Sequence, residues 1–235
     1  MNWKFFIPTA LLVLVTIYAF TFRAPRSTSP GDNPTHLLAD PDIQKLAMKY
    51  GDHHVATLAM YQKLAANSEA PALLDSLAAW YYATGMYPQA YAVAKDVCEN
   101  HRPNLSSMNI WAHTARLLGN AEEAISLNQQ LAAHTGEAIY HYQVAAMQFE
   151  LQRLEECQQT VNTLLADTTI GRQKIGIAYG DNETQEVSLK AATLNLDGAI
   201  KQASNQNEEA KRSFEQALQI EPGFELAQNN HRGLQ

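Results

Sequence analysis

Downstream of residue 36, apolar residues recur three and four apart in one segment after another. In "PALLDSLAAWYYAT" (71–84), Leu74, Leu77, Ala78 and Tyr81 share one face of a helix. The fourth segment of this kind places Tyr142, Ala145, Ala146 and Phe149 on one face in the same way. Glycines punctuate the pattern. Gly51, Gly85 and Gly119 are 34 residues apart, and each is followed five residues later by an alanine: Ala56, Ala90 and Ala124. Two landmarks recurring at one period, in a chain with 11 glycines, mark an internal repeat. Each unit is predicted to be two amphipathic helices. The glycine ends the first, because it takes the left-handed conformation without steric penalty. The alanine opens the second, small enough for close helix approach. A single hairpin of this kind cannot bury its own apolar face, so neighbours must stack. The expected fold is an all-α solenoid.

The period is broken once. Arg172–Lys190, "RQKIGIAYGDNETQEVSLK", alternates apolar and polar residues on both sides of "GDNET", with Ile175, Ile177 and Tyr179 on one face. This predicts a β-hairpin inserted into the helical array, with an irregular loop as the alternative. An insertion on one face of a solenoid is a common place for added binding specificity.

The last unit, "TLNLDGAIKQASNQNEEAKRSFEQALQIEPGF", carries Leu194, Gly198, Ala210, Phe214, Ala217 and Pro222. With the 34-residue spacing, these landmarks make the chain similar to the tetratricopeptide repeat (TPR) family from about residue 37 to 224. Repeats are expected at about 37–70, 71–104, 105–138, 139–171 and 191–224, with the insertion at 172–190 and a C-terminal cap at 225–235. The fourth unit loses one residue in its turn and has Cys157 in the alanine position. Where the family has an aromatic in the second helix, this chain has Ala94 or Asn128. The resemblance implies a concave surface lined by first helices on which a protein or peptide partner lies. On that strip the repeat register places Asp75, Ala79 and Tyr82, then Asn109, His113 and Arg116. It continues with Tyr140, Gln143, Met147 and Glu150, and ends with Asn195 and Gln202. Mixed polar and aromatic side chains suit a groove that stays soluble when empty. The strip lacks the Lys and Asn row with which some family members clamp a C-terminal carboxylate.

The first residues differ in kind. "FFIPTALLVLVTIYAFTF" (5–22) holds no charge, and its 18 residues reach about 27 Å as a helix, near the thickness of a bilayer core. A cleavable signal peptide would want a shorter apolar run and a small-residue cleavage site, which "AFTFRAPR" lacks. A retained single-pass anchor over 4–23 is favoured, followed by a Pro-rich linker over 24–36. The expected location is a bacterial inner membrane with the repeats in the periplasm, although the flanking positive charges are nearly balanced. Past residue 26 the chain has 14 basic against 24 acidic residues, so a nucleic-acid backbone is a poor partner.

No chemistry-bearing motif emerges. There is no G-x-S-x-G, H-E-x-x-H, C-x-x-C or dinucleotide fingerprint, and the insertion's glycines do not form a phosphate loop. His53 and His54 are adjacent, so on a helix they point about 100° apart and do not share a metal. Cys98 and Cys157 fall in second helices two repeats apart, too far for a disulfide. Neither a catalytic role nor a cofactor, metal or small-molecule substrate is indicated. The expected function is a membrane-tethered protein-binding scaffold. The alternatives are a chaperone-like biogenesis factor, such as the anchored repeat proteins of cytochrome c maturation, and an enzyme subunit whose chemistry lies elsewhere.

Overall fold

The computed structural model describes residues 41–66, 71–101, 103–179 and 183–234. The predicted anchor and linker lie outside them. No helix among the described residues is long and apolar enough to cross a membrane.

Helices pair in chain order: α1 (Pro41–Lys49) with α2 (His53–Ala66), α3 (Pro71–Ala83) with α4 (Tyr87–Asn100), and α5 (Leu105–Leu117) with α6 (Ala121–Thr135). Then α7 (Ala138–Glu150) pairs with α8 (Leu154–Ala166), and α9 (Leu189–Ala203) with α10 (Asn207–Ile220), before α11 (Glu225–Arg232) closes the array. One turn is used five times. Gly51, Gly85 and Gly119 take φ of 71°, 75° and 85°, and Gln152 and Asn205 take 59° and 61° at the matching positions. In each turn the next residue's N–H reaches back five residues, as in Asp52 to Ala47, Asn120 to Ala115 and Arg153 to Gln148. This double closure satisfies the carbonyls that a helix end leaves free. Five residues beyond each turn lie Ala56, Ala90, Ala124, Cys157 and Ala210, all 0% exposed. The small residue is where the second helix meets the first.

The core is a chain of small clusters rather than one centre. Leu77, Ala78 and Tyr81 of α3 pack with Ala90 and Ala94 of α4, and this group touches Met60 before it and Ile110 after it. Polar links at the same stride join neighbours. Tyr91 donates to Glu123 (2.7 Å), Lys95 also reaches Glu123 (3.1 Å), and Arg153 pairs with Glu122. Exposed pairs of this sort contribute about 0–1 kcal/mol each, so they fix register more than stability. Deeper is Asp197 of α9, whose carboxylate accepts from Lys201 (2.5 Å), Ser213 (2.6 Å) and Gln158 (2.9 Å). It ties α8, α9 and α10 at one point.

The insertion is a hairpin. Strand β1 (Lys174–Tyr179) pairs antiparallel with β2 (Glu183–Ser188), with Ile175 opposite Val187. Val187 is buried beside Ala191, Ala192 and Phe224, and Ile175 and Ile177 pack on the same cluster. Polar bonds hold the hairpin to the α10–α11 loop. Gln185 donates to the Gly223 carbonyl (2.6 Å) and accepts from the Glu225 N–H (3.0 Å). Glu221 accepts from Lys174 (2.8 Å) and from the Ser188 N–H (3.1 Å). Strong alternation with one apolar face therefore produced a hairpin, because that face had α9 to cover. Both cysteines are free thiols. Cys157 donates to the Ala145 carbonyl (3.0 Å), and burial pushes its pKa up to about 12.

Candidate binding cleft

A cleft of about 390 Å³ opens between first helices α5 and α7 and strand β1. Its helical wall carries Ala112, His113 and Arg116 from α5 and Ile139, Tyr142, Gln143, Ala146 and Met147 from α7. Asn128 of α6 forms part of the floor, and Ile175, Gly176, Ile177 and Ala178 form the opposing wall. The strip predicted from first helices and the inserted hairpin, two separate candidates in the sequence, thus face each other across one space.

The structure brings together four of the predicted residues as lining: His113, Arg116, Gln143 and Met147. Two more support them. Tyr82's hydroxyl lies 3.0 Å from His113 Nδ1, with the rings edge-on at 5.4 Å, and Glu150 pairs with Arg116. Burial, aided by the Arg116 cation, holds His113 below the usual histidine range, so the ring is neutral at pH 7. Met147 lines the cleft only as part of its base: it is 1% exposed and packs with Ala115, Ile125 and Val144.

The other predicted residues are placed elsewhere. Asp75 accepts hydrogen bonds at Oδ1 from Asn104 (2.7 Å) and Ser107 (2.6 Å), which joins α3 to α5, and it is not part of the cleft's lining. Tyr140 packs beside Leu127 and Leu131, while Asn109 is exposed away from the lining set. Asn195 is 6% exposed and accepts from Asn230 of α11 (2.9 Å), so the closing helix covers it. Gln202 sits at the last turn of α9, where its carbonyl accepts from Asn205 and Ser204.

Two polar groups that the predicted strip lacks matter most. Asn128 is 3% exposed, and while its Nδ2 donates to the Ala124 carbonyl (2.8 Å), its Oδ1 has no partner. Tyr142, half-buried, makes no hydrogen bond through its hydroxyl to any described residue. Burial drives its pKa well above the ordinary tyrosine value, opposed in part by Arg116 nearby. Its position on the apolar stripe of α7 marked it as core packing. Asn128 did carry a signal, since it stands where the repeat pattern has an aromatic. Among the described residues no group of three or more His, Cys, Asp or Glu could hold a metal.

No protein-family model matches the chain. No curated protein matches it either. Its fold does match solved structures. The crystal structure of YrrB, "a TPR protein with an unusual peptide-binding site", aligns at a TM-score of 0.62 and 14% identity over 80% of this chain and 88% of that one. A crystal structure of MamA aligns at 0.60 and 16% identity, covering 77% and 95%. MamA from Desulfovibrio magneticus RS-1, residue 41 to its end, aligns at 0.60 and 11% identity, covering 83% and 98%. At these identities the likeness is one of fold, and the fold is the TPR solenoid.

Proposed function

We propose that the chain is an interaction scaffold that holds a protein or peptide segment in the cleft between α5, α7 and β1. The unpaired polar groups of that cleft carry the reading. Leaving a buried amide oxygen without a partner costs about 1–3 kcal/mol. Asn128, whose buried Oδ1 has no partner, and Tyr142, whose hydroxyl makes no hydrogen bond to a described residue, both line the cleft, as suits groups kept for a ligand. The structural likeness to a TPR protein with a peptide-binding site supports the same assignment.

The test separates stability from capture. Asn128→Leu and Tyr142→Phe remove polar groups that have no internal partner, so the pair of changes should leave melting unchanged or raise it by a few degrees. Combined with Arg116→Ala, they should abolish capture of partner by the tagged full-length chain in affinity purification. Capture at wild-type yield by the triple variant would sink the assignment. Deleting residues 172–190 is a poorer test, because Val187, Ser188 and Leu189 are each buried and their loss would unfold the stack.

The scaffold is proposed to be membrane-tethered by residues 4–23, with its repeats in the periplasm of a bacterium. The uncharged run at 5–22 followed by a Pro-rich linker supports this. Protease added to spheroplasts should digest the repeats, and full protection would reverse the orientation.

A further inference from the structure

The hairpin is a two-stranded sheet, so β1 has one edge paired and one free. Which groups occupy the free edge follows from the register. The Leu189 N–H donates to the Gln173 carbonyl (2.8 Å), which makes 173–189 a hydrogen-bonded pair. Such pairs recur at every second residue, so Ile175, Ile177 and Tyr179 bond across to β2. Gly176 and Ala178 therefore turn their N–H and C=O away from β2, and neither makes a further backbone hydrogen bond among the described residues. Both residues are exposed, both have minimal side chains, and both line the cleft. The edge thus presents two donors and two acceptors at the spacing of a β-strand.

An open edge of this kind is a template for another strand. The opposite wall indicates what that strand carries. Among the described residues, Arg116 is the one formally charged side chain lining the cleft, in a chain whose net charge is −7. Its guanidinium has five donors, so pairing with Glu150 leaves donors for a second carboxylate. The Tyr142 hydroxyl supplies another donor, and Ile139 and Ala146 flank it with apolar surface.

We infer that the occupant is an extended peptide segment that adds to the free edge of β1 as a third strand and directs an Asp or Glu side chain to Arg116. This rests on the proposed binding role of the cleft and specifies its mode. Main-chain bonds to Gly176 and Ala178 supply recognition that is independent of sequence. The acidic side chain on the helical wall sets specificity. A helical ligand would leave the edge unpaired.

The probe is the tightest binder selected from a displayed library of random short peptides against the full-length chain, with affinity read by fluorescence anisotropy. Selected peptides should share one acidic position, and changing it to Asn or Gln should cancel the effect of Arg116→Gln. N-methylation of the peptide backbone should weaken binding at alternate residues by about tenfold or more and spare those between. Ala178→Pro deletes the outward N–H at a position where an edge strand tolerates proline, and should give a similar loss, whereas Ala178→Ser binds like the wild type. If Ala178→Pro unfolds the hairpin, the N-methyl series decides alone. Loss on Arg116→Gln with no alternation in the N-methyl series overturns strand addition and leaves the cleft as the binding site. Affinity indifferent to both Arg116→Gln and Tyr142→Phe removes the cleft itself. A selected pool without acidic enrichment overturns the assignment of Arg116.

Discussion

Gly198→Ala should destabilise the protein by about 2–4 kcal/mol, although alanine is the better helix former by about 1 kcal/mol. Gly198 lies inside α9, with its backbone against the ring of Phe214 in α10. A methyl group there would meet Phe214 Cδ1 at 2.6 Å and Cζ at 2.8 Å, and Cε1 closer still. Phe214 is fully buried, so the ring has nowhere to withdraw, and α9 and α10 must separate or the ring must leave its rotamer. Urea unfolding followed by circular dichroism measures the effect. The double variant Gly198→Ala, Phe214→Leu should be less destabilised than the sum of its parts, because the smaller side chain relieves the overlap. A Gly198→Ala protein as stable as the wild type would mean that α9 and α10 are further apart than described.

Asp197→Ala should cost a comparable amount, about 3 kcal/mol, by a different route. The carboxylate is 4% exposed and takes hydrogen bonds from Gln158, Lys201 and Ser213. Removing it takes the counter-charge from the Lys201 ammonium and leaves it the neutral Ser213 hydroxyl (2.9 Å) as acceptor. Ser213→Ala should cost about 1 kcal/mol, because the remaining Asp197–Lys201 pair stays intact. Ser213 and Lys201, 2.9 Å apart, have the composition of a nucleophile and its base, but Ser213 is 3% exposed and is not part of the cleft's lining. Equal, small losses in the two variants would show that the carboxylate is not the hub of this network.

The fold could be read from spacing because the turn demands a special backbone, and glycine advertises it at 51, 85 and 119. The fourth and fifth turns are built the same way but by Gln152 and Asn205, whose identities give no such notice; only the buried small residue five positions on marks them. The hairpin was legible because its alternation is a period that no helix can bury. The cleft was legible in part. Helical spacing puts His113, Arg116 and Gln143 on one strip, and all three line the cleft. The same spacing says nothing about the neighbour that covers a face, so Asn195 lies beneath α11 and Met147 joins the core. Tyr142 was indistinguishable from packing, since a core tyrosine and one that offers its hydroxyl to a cleft sit on the same stripe. Asn128 was the exception, a polar residue at an aromatic position, and its meaning depends on an unpaired oxygen that only coordinates reveal.

The bonds that hold the hairpin against the α10–α11 loop join residues 33 to 47 positions apart. The preceding turns, by contrast, close within a few residues of themselves. During synthesis, α5 and α7 can therefore stack as soon as they emerge, while β1 and β2 wait for Glu221, Gly223 and Glu225 to leave the ribosome. One wall of the cleft exists early and the other is set only once residues 221–225 have been made. A nascent chain shorter than residue 225, or one truncated before it, would display the repeat helices without the anchored facing strand, and competence to bind would wait for that segment.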